Sequence, residues 1–407
     1  MFLQKMPNDG ERHAMVREIS RPSTARCTLP MYMGYLLSEP NSPSCCHLSE
    51  VMGISHDSVN RFLQRETYSP RDLFDEVKSV LNLKGGVLSV DDSVLDKPYA
   101  SKMAFVGYFW SGKHHRVVKG INLITLYYCD VEGRHQPVNY RIVDKAEGKT
   151  KNAYFREMLV EVLAWGLEPA YITGDSWYSG GANLKEVRHH RPGFLFALES
   201  NRLISVEKGT WMQIRELDIP EEGREVWLRG FGAVKVFRTR LKEQVRHYAV
   251  HLSDGEPLSS FGRDRFLWLH DLHWQIEQYH RAIKQVCHIE HFRVRTPAAI
   301  QNHVFAAICG YTQLQRQCLM DVLKNSYQVQ RNLFNGVVAD YAEPGIMRSR
   351  AGKVDVPQAL WRRSTQHYPA SNRDAISASA ALNRPRRKPG GRTACTVSSF
   401  SDGSTCR

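Results

Sequence analysis

GGVLSVDDS, residues 85–93, is an apolar run closed by two adjacent aspartates. Two glycines lead into it, and valine and leucine fill it, which reads as a short buried strand. Asp91 is expected at the carboxyl end of that strand, with Asp92 behind it. The position matters because sites in open α/β sheets assemble outside the carboxyl ends of neighbouring strands.

The segments that follow supply neighbours. MAFVGYFW (103–110) and VVKGINLITLYYCD (117–130) are rich in β-branched and aromatic residues, and HQPVNYRIVD (135–144) reads as a further strand or a lid. KNAYFREMLVEVLAWG (151–166) has helical periodicity and stops at Gly166. PAYITGD (169–175) is a second short strand ending in an acid, Asp175. ANLKEVRHHRPG reads as helix and stop, and FLFALE (194–199) as a last core strand. Strands and helices in this order predict a mixed α/β domain.

A third carboxylate lies far downstream. In LHWQIEQYHRAIKQ (272–285) and the residues just before it, Leu269, Leu272, Ile276, Tyr279, Ile283 and Val286 recur at steps of three and four, the mark of a buried helical face. His270, His273, Glu277, Arg281 and Lys284 form a second stripe beside it, at the border of the core. Taken alone, the stripe is equally an ordinary charged flank in which Glu277 pairs with Arg281 at i,i+4.

Composition narrows the setting. The chain has 407 residues, 42% hydrophobic and 24% charged, enough to bury a sizeable core. No apolar run reaches membrane-spanning length and no signal-peptide pattern follows the start, so a bacterial-type cytoplasm, close to the nucleoid, is expected. Nine cysteines without CxxC pairs or regular spacing imply neither a disulfide framework nor a zinc knuckle. Of the formal charge of +13, residues 344–407 carry +9. DNA binding therefore has to be argued from local patches rather than from overall basicity.

Residues 1–44 show little periodicity and are expected to be loosely ordered. CHLSEVMGISHDSVNRFLQRE (46–66) reads as a helix-turn-helix, two short helices with Gly53 at the turn and Ser55 as N-cap, within a helical, DNA-binding region 45–82. Val59, Phe62 and Leu63 would face inward. The outward positions include Ser58, Asn60, Arg61 and Arg65, suited to base edges and phosphates in a major groove, although an ordinary helical hairpin has the same pattern. Residues 200–261 alternate in the manner of strands and are expected as an all-β insertion, with Trp211 and Trp227 in its core. A basic tail, 343–407, includes RPRRKPGGR and is expected to be disordered.

Three hard carboxylates brought together by two strand ends and one helix flank suit Mg²⁺ or Mn²⁺ rather than zinc. The three places VLSVDDS, ITGDSWYSGG and WQIEQYHRAIKQ, in that order, resemble the DDE-type transposases of bacterial insertion sequences over roughly residues 85–312. The resemblance implies an RNase H-like mixed sheet flanked by helices over 83–199 and 262–330, with the β insertion of the cut-and-paste members. It maps the metal ligands to Asp91, Asp175 and Glu277, with Asp92 as the alternative to Asp91, and a DNA-contacting lysine to Lys284. It further implies two Mg²⁺ or Mn²⁺ ions, double-stranded DNA as partner in the form of terminal inverted repeats and target, and a homodimer in the DNA complex. Members usually have tyrosine and arginine where this chain has His270 and His273, which are accordingly expected to contact phosphate along with Arg281. Trp177 and Tyr178, beside Asp175, are candidates for stacking on an unpaired base. The other readings of the same residues are an RNase H-like endonuclease without strand transfer and a DNA-binding remnant that no longer cuts.

Overall fold

Strand β1, Val87–Asp96, does not stop at its aspartates; it runs five residues past Asp91. The reason is unequal pairing on its two sides. The long strand β3, Arg116–Cys129, holds β1 antiparallel along its whole length, from Val87 opposite Cys129 to Asp96 opposite Gly120. On the other side β5, Tyr171–Gly174, pairs in parallel only from Val87 to Val90. Asp91 is therefore the first residue of β1 without a parallel neighbour.

The computed structural model describes residues 26–329 apart from 40–42, 208, 242–243 and 254–255. The expected basic tail lies outside the described residues, as do residues 1–25. Within the remainder of the N-terminal segment the expectation of loose order fails. Leu29–Ser38 is a helix, α1, capped by Thr28 and carrying proline in its first turn. Its Tyr32, Tyr35 and Leu36 are buried, and the Tyr32 hydroxyl lies 2.8 Å from His303 Nδ1. Burial against a distant helix, invisible in a local pattern, orders this stretch.

Three further helices precede the sheet: α2 (Cys45–Met52), α3 (His56–Arg65) and α4 (Pro70–Val77). Gly53 joins α2 to α3 in the left-handed conformation, with φ of 60°, and the Ser55 side chain caps α3. Val59, Phe62 and Leu63 are buried as the spacing predicts. Asn302, a buried residue of a later helix, donates to the carbonyls of Leu63 and Glu66 at 2.8 and 2.6 Å and so closes the end of α3.

The sheet is mixed and has eleven strands. Besides β1, β3 and β5 it contains β2 (Gly107–Ser111), β4 (His135–Ile142) and β6 (Gly193–Leu198), with α5 (Lys151–Ala164) and α6 (Gly181–His189) in the crossovers. β2 and β4 pair with successive halves of β3, and β6 extends the parallel pair β1–β5. Residues 200–261 form five strands, β7 (Leu203–Ser205), β8 (Met212–Gln213), β9 (Arg224–Leu228), β10 (Gly232–Leu241) and β11 (Gln244–His251). They continue the same sheet, because β11 hydrogen-bonds antiparallel to β6 from His247 opposite Leu198 to His251 opposite Phe194. Trp211 and Trp227, expected in a core there, are 42% and 40% exposed.

Helices α7 (Arg263–Gln285) and α8 (Pro297–Leu319) complete the described chain. The apolar stripe on α7 is buried as its periodicity requires, with Leu269, Ile276, Tyr279 and Ile283 inaccessible. Lys284 ties α7 to β1, its ammonium donating to the Val94 carbonyl at 2.6 Å.

Candidate active site

The pleat of β1 sends its two aspartates to opposite faces of the sheet, since successive side chains alternate. On one face are Ser89 and Asp91, turned toward α7. The Ser89 hydroxyl lies 2.8 Å from that of Thr173, which lies 3.0 Å from His273 Nδ1 on α7. Two turns further, His280 Nδ1 is 3.3 Å from Asp91 Oδ2. On the opposite face Asp92 is enclosed by donors. Lys151, at the start of α5, donates to both its oxygens at 2.9 and 2.8 Å. Asn122 of β3 adds a bond at 2.6 Å and the Tyr178 hydroxyl another at 3.0 Å.

Asp91 has no such cation. Its Oδ1 accepts the Asp92 backbone N–H at 2.8 Å, and burial together with the Asp92 charge pushes its pKa up to about 7. Asp175 follows β5 directly and caps the short turn after it, accepting from the Trp177 N–H at 3.0 Å. Burial and then the charge of Asp91 raise it to about 8. Glu277, on α7, is exposed. Its carboxyl is also raised, first by desolvation and then by Asp91. Asp91 is thus the acid that both of the others feel.

Asp91 repels both other carboxylates, and the cations within reach, Lys151 for the aspartates and Arg281 and Arg246 for Glu277, offset this only in part, a costly arrangement unless something more positive enters. As they stand, no three histidine, cysteine, aspartate or glutamate side chains among the described residues close on one point to hold a metal ion. The donor set itself, three hard oxygen ligands with Asp91 and Asp175 each accepting a single backbone N–H, fits Mg²⁺ or Mn²⁺ in kind.

Several residues expected to meet DNA are placed elsewhere. His273 is neutral near pH 7, its pKa lowered to about 4 by burial and then by the neighbouring histidines. It acts as a strut between α7 and β5, not as a phosphate-binding cation. His270 is also lowered by burial and lies 3.2 Å from the Tyr248 hydroxyl. Tyr178 is fully buried against Asp92, so it offers no stacking face, whereas Trp177 is 56% exposed with Lys151 Nζ 5.2 Å from its ring centroid. Lys284 is held between the Val94 carbonyl and Glu290, the latter at 3.5 Å, and Arg281 is exposed. Ser58, expected outward on α3, faces in and accepts from the Cys27 N–H at 3.0 Å, because the residues leading into α1 cover that side. Arg61 and Arg65 are exposed and Asn60 is half-buried.

Sequence reading missed His280, Lys151 and Asn122. His280 lay within the quoted helix one step outside the polar stripe, and its spacing from Glu277 was the available signal. Nothing local marks Lys151 or Asn122, whose roles arise from pairing across the sheet.

The chain matches the Transposase DDE domain family over residues 83–313. It belongs to this family. The match contains β1, β5 and α7, and with them Asp91, Asp175 and Glu277. Among solved structures the chain is similar to a piggyBac transposase synaptic complex with hairpin DNA, at 14% identity and a TM-score of 0.45, covering 84% of this chain and 81% of that one. It is similar also to a Drosophila P element transposase strand transfer complex, at 11% identity and a TM-score of 0.24, covering 50% and 51%. No curated protein matches. No helix among the described residues is long and apolar enough to cross a membrane.

Proposed function

We propose that the protein is a DNA transposase that cuts at the ends of its own element and joins the freed 3′ ends to target DNA. The observation that carries this reading is the meeting of three acids from separate elements: Asp91 is the first residue of β1 past its pairing with β5, Asp175 is the residue that follows β5, and Glu277 on α7 feels the charge of Asp91. The order of the central strands, β4-β3-β1-β5-β6, supports an RNase H-like core. Asp91, Asp175 and Glu277 would hold two Mg²⁺ or Mn²⁺ ions, which supply a lowered water pKa and charge stabilisation at the phosphate when bound.

The chain's own residues do the remainder. Asp92, locked by Lys151, Asn122 and Tyr178, fixes the backbone of β1 and hence the direction of Asp91. His280 and the Ser89, Thr173, His273 relay hold α7 at a set height over β1 and β5, which sets the reach of Glu277. Trp177 and Arg281 border the acids and meet the DNA strand, with Lys284 supporting α7 from behind. Asn60, Arg61 and Arg65 of α3 read the terminal repeats in duplex form. Joining two ends calls for a dimer on DNA, in the cytoplasm at the nucleoid.

Glu277→Gln tests the assignment: metal-dependent cleavage of element-ended DNA vanishes while end binding persists, and unchanged cleavage would refute it. Capture of 3′ ends into a second DNA separates transposition from simple endonuclease action. One observation favours a second reading, a family member that binds DNA without cutting. His273 is a buried neutral strut where relatives are expected to present arginine, so a fixed cation is missing beside the acids. Wild-type protein that binds repeats and never cuts in Mn²⁺ would establish it.

A further inference from the structure

From Lys97 to Cys129 the chain carries five lysines and arginines and not one aspartate or glutamate. The middle of this stretch is the β2–β3 hairpin, and β2 forms the edge of the sheet. Its cross-strand pairs set Tyr108 opposite Lys119 and Trp110 opposite Val117. Residues paired in this way share a face. On that face Tyr108 is 65% and Trp110 46% exposed, while Phe109 and Ser111, which alternate to the other face, are buried. Lys113 and Arg116 stand exposed at the turn. Lys113 reaches Asp96 at 3.4 Å and His114 reaches it at 2.8 Å; the lysine pair is exposed and of little energetic weight.

The hairpin also points the right way. It begins at Gly120, five residues of strand beyond the register of Asp91, so it projects roughly 17 Å past the acids on the edge where β5 ends. Large rings on a solvent face, with Lys119 beside Tyr108, Lys113 and Arg116 at the turn, and Asp96 held by Lys113 and His114, make a platform for bases whose faces are open. A duplex, whose base faces are closed, would use the cations and leave the rings idle. Pairing with a second copy along β2 is opposed by Lys145, whose ammonium takes the Tyr108 carbonyl at 3.0 Å and blocks the edge.

We infer that the β2–β3 hairpin is a docking surface for single-stranded DNA, with Tyr108 and Trp110 stacking on bases and Lys113, Arg116 and Lys119 contacting phosphates. The inference rests on the DNA reading above and assigns the hairpin to strand that has come unpaired beside the cut.

Fluorescence anisotropy of the full chain, without divalent ions, tests it with a labelled oligothymidylate of about 15 nucleotides and with a duplex of the same length. Tyr108→Ser with Trp110→Ser should weaken oligothymidylate binding at least about tenfold and leave the duplex unaffected, with the melting temperature unchanged. Trp110→Phe should retain binding. Lys113→Glu with Arg116→Glu should flatten the salt dependence for the single strand by about one unit of slope. Full oligothymidylate affinity in the aromatic double variant would overturn the inference while leaving cleavage by the wild type intact. Self-association that the same variant abolishes would overturn it in favour of a second copy. A wild type that binds neither form of DNA would remove this inference and the transposase reading together.

Discussion

Asp91 and Asp92 are adjacent in the chain and opposite in circumstance. One faces α7 with a single backbone N–H, and the other faces α5 with a lysine, an amide and a phenol. Lys151→Met should therefore be costly: it leaves Asp92, 9% exposed, without its cation, which removes about 3–5 kcal/mol in chemical denaturation. Asp175 predicts the reverse. Its folded pKa, about 8, lies above the ordinary 3.8, so the folded state holds a proton that the unfolded state has lost. Stability from this group is full below about pH 4 and drains away as pH rises toward 8. Asp175→Asn should then raise the melting temperature of metal-free protein at pH 8 and change it little at pH 4, by roughly 2–4 °C for each kcal/mol relieved. A variant less stable than wild type at pH 8 would contradict the account. His280, with its pKa lowered to about 4 by burial, is neutral at pH 8 and cannot supply the missing charge there.

At the scale of elements, the site depends on how closely β5 lies against its neighbours. Gly174 is paired with Val90 and Phe196, and a Cβ there would lie 2.5 Å from the Phe196 ring and 2.9 Å from a Val90 methyl. Gly174→Ala is expected to force the strands apart, costing about 1–3 kcal/mol and moving Asp175, read as weaker Mn²⁺ binding together with a lower melting temperature. The elements themselves were legible in sequence: β1, β5 and α7 follow from runs and periodicities spanning only a few residues. What was not legible needed a partner from elsewhere. The end of β1 was misplaced because β3 prolongs it. The inward turn of Ser58 and the burial of Tyr178 leave no local trace, since they depend on the backbone of residues 26–27 and on Asp92. The separation of Asp91 from Asp92 was in principle readable from strand alternation, but only once the element on each face was known.

For the molecule as a whole, the N-terminal helices are joined to the sheet domain through α8. Tyr32, Leu36, Leu48, Phe62 and Leu73 belong to the same buried cluster as Leu88, Ile283 and Phe305, and Asn302 and His303 of α8 bond directly to α3 and α1. A chain beginning at residue 83 would expose that cluster. It is expected to bind the dye ANS and to melt without a sharp transition, whereas a cooperative melt like that of the full chain would show that the helices are dispensable. In sequence the region 45–82 reads as a helical unit separate from the sheet; the shared core appears only in three dimensions. The same joining gives a route by which α3, held by Asn302, keeps a fixed position relative to α7, which packs with α8 over the acids.

The claim beneath all of this is that Asp91, Asp175 and Glu277 exist to hold divalent cations. Titration calorimetry of Mn²⁺ into the full chain, at pH 6 and pH 8, tests it without requiring any DNA reaction. The account predicts saturable binding that strengthens with pH and releases protons, since raised carboxyls must ionise to bind, and that is lost in Asp91→Asn and in Glu277→Gln. Binding of equal strength in those variants, or none in the wild type at pH 8, would contradict it.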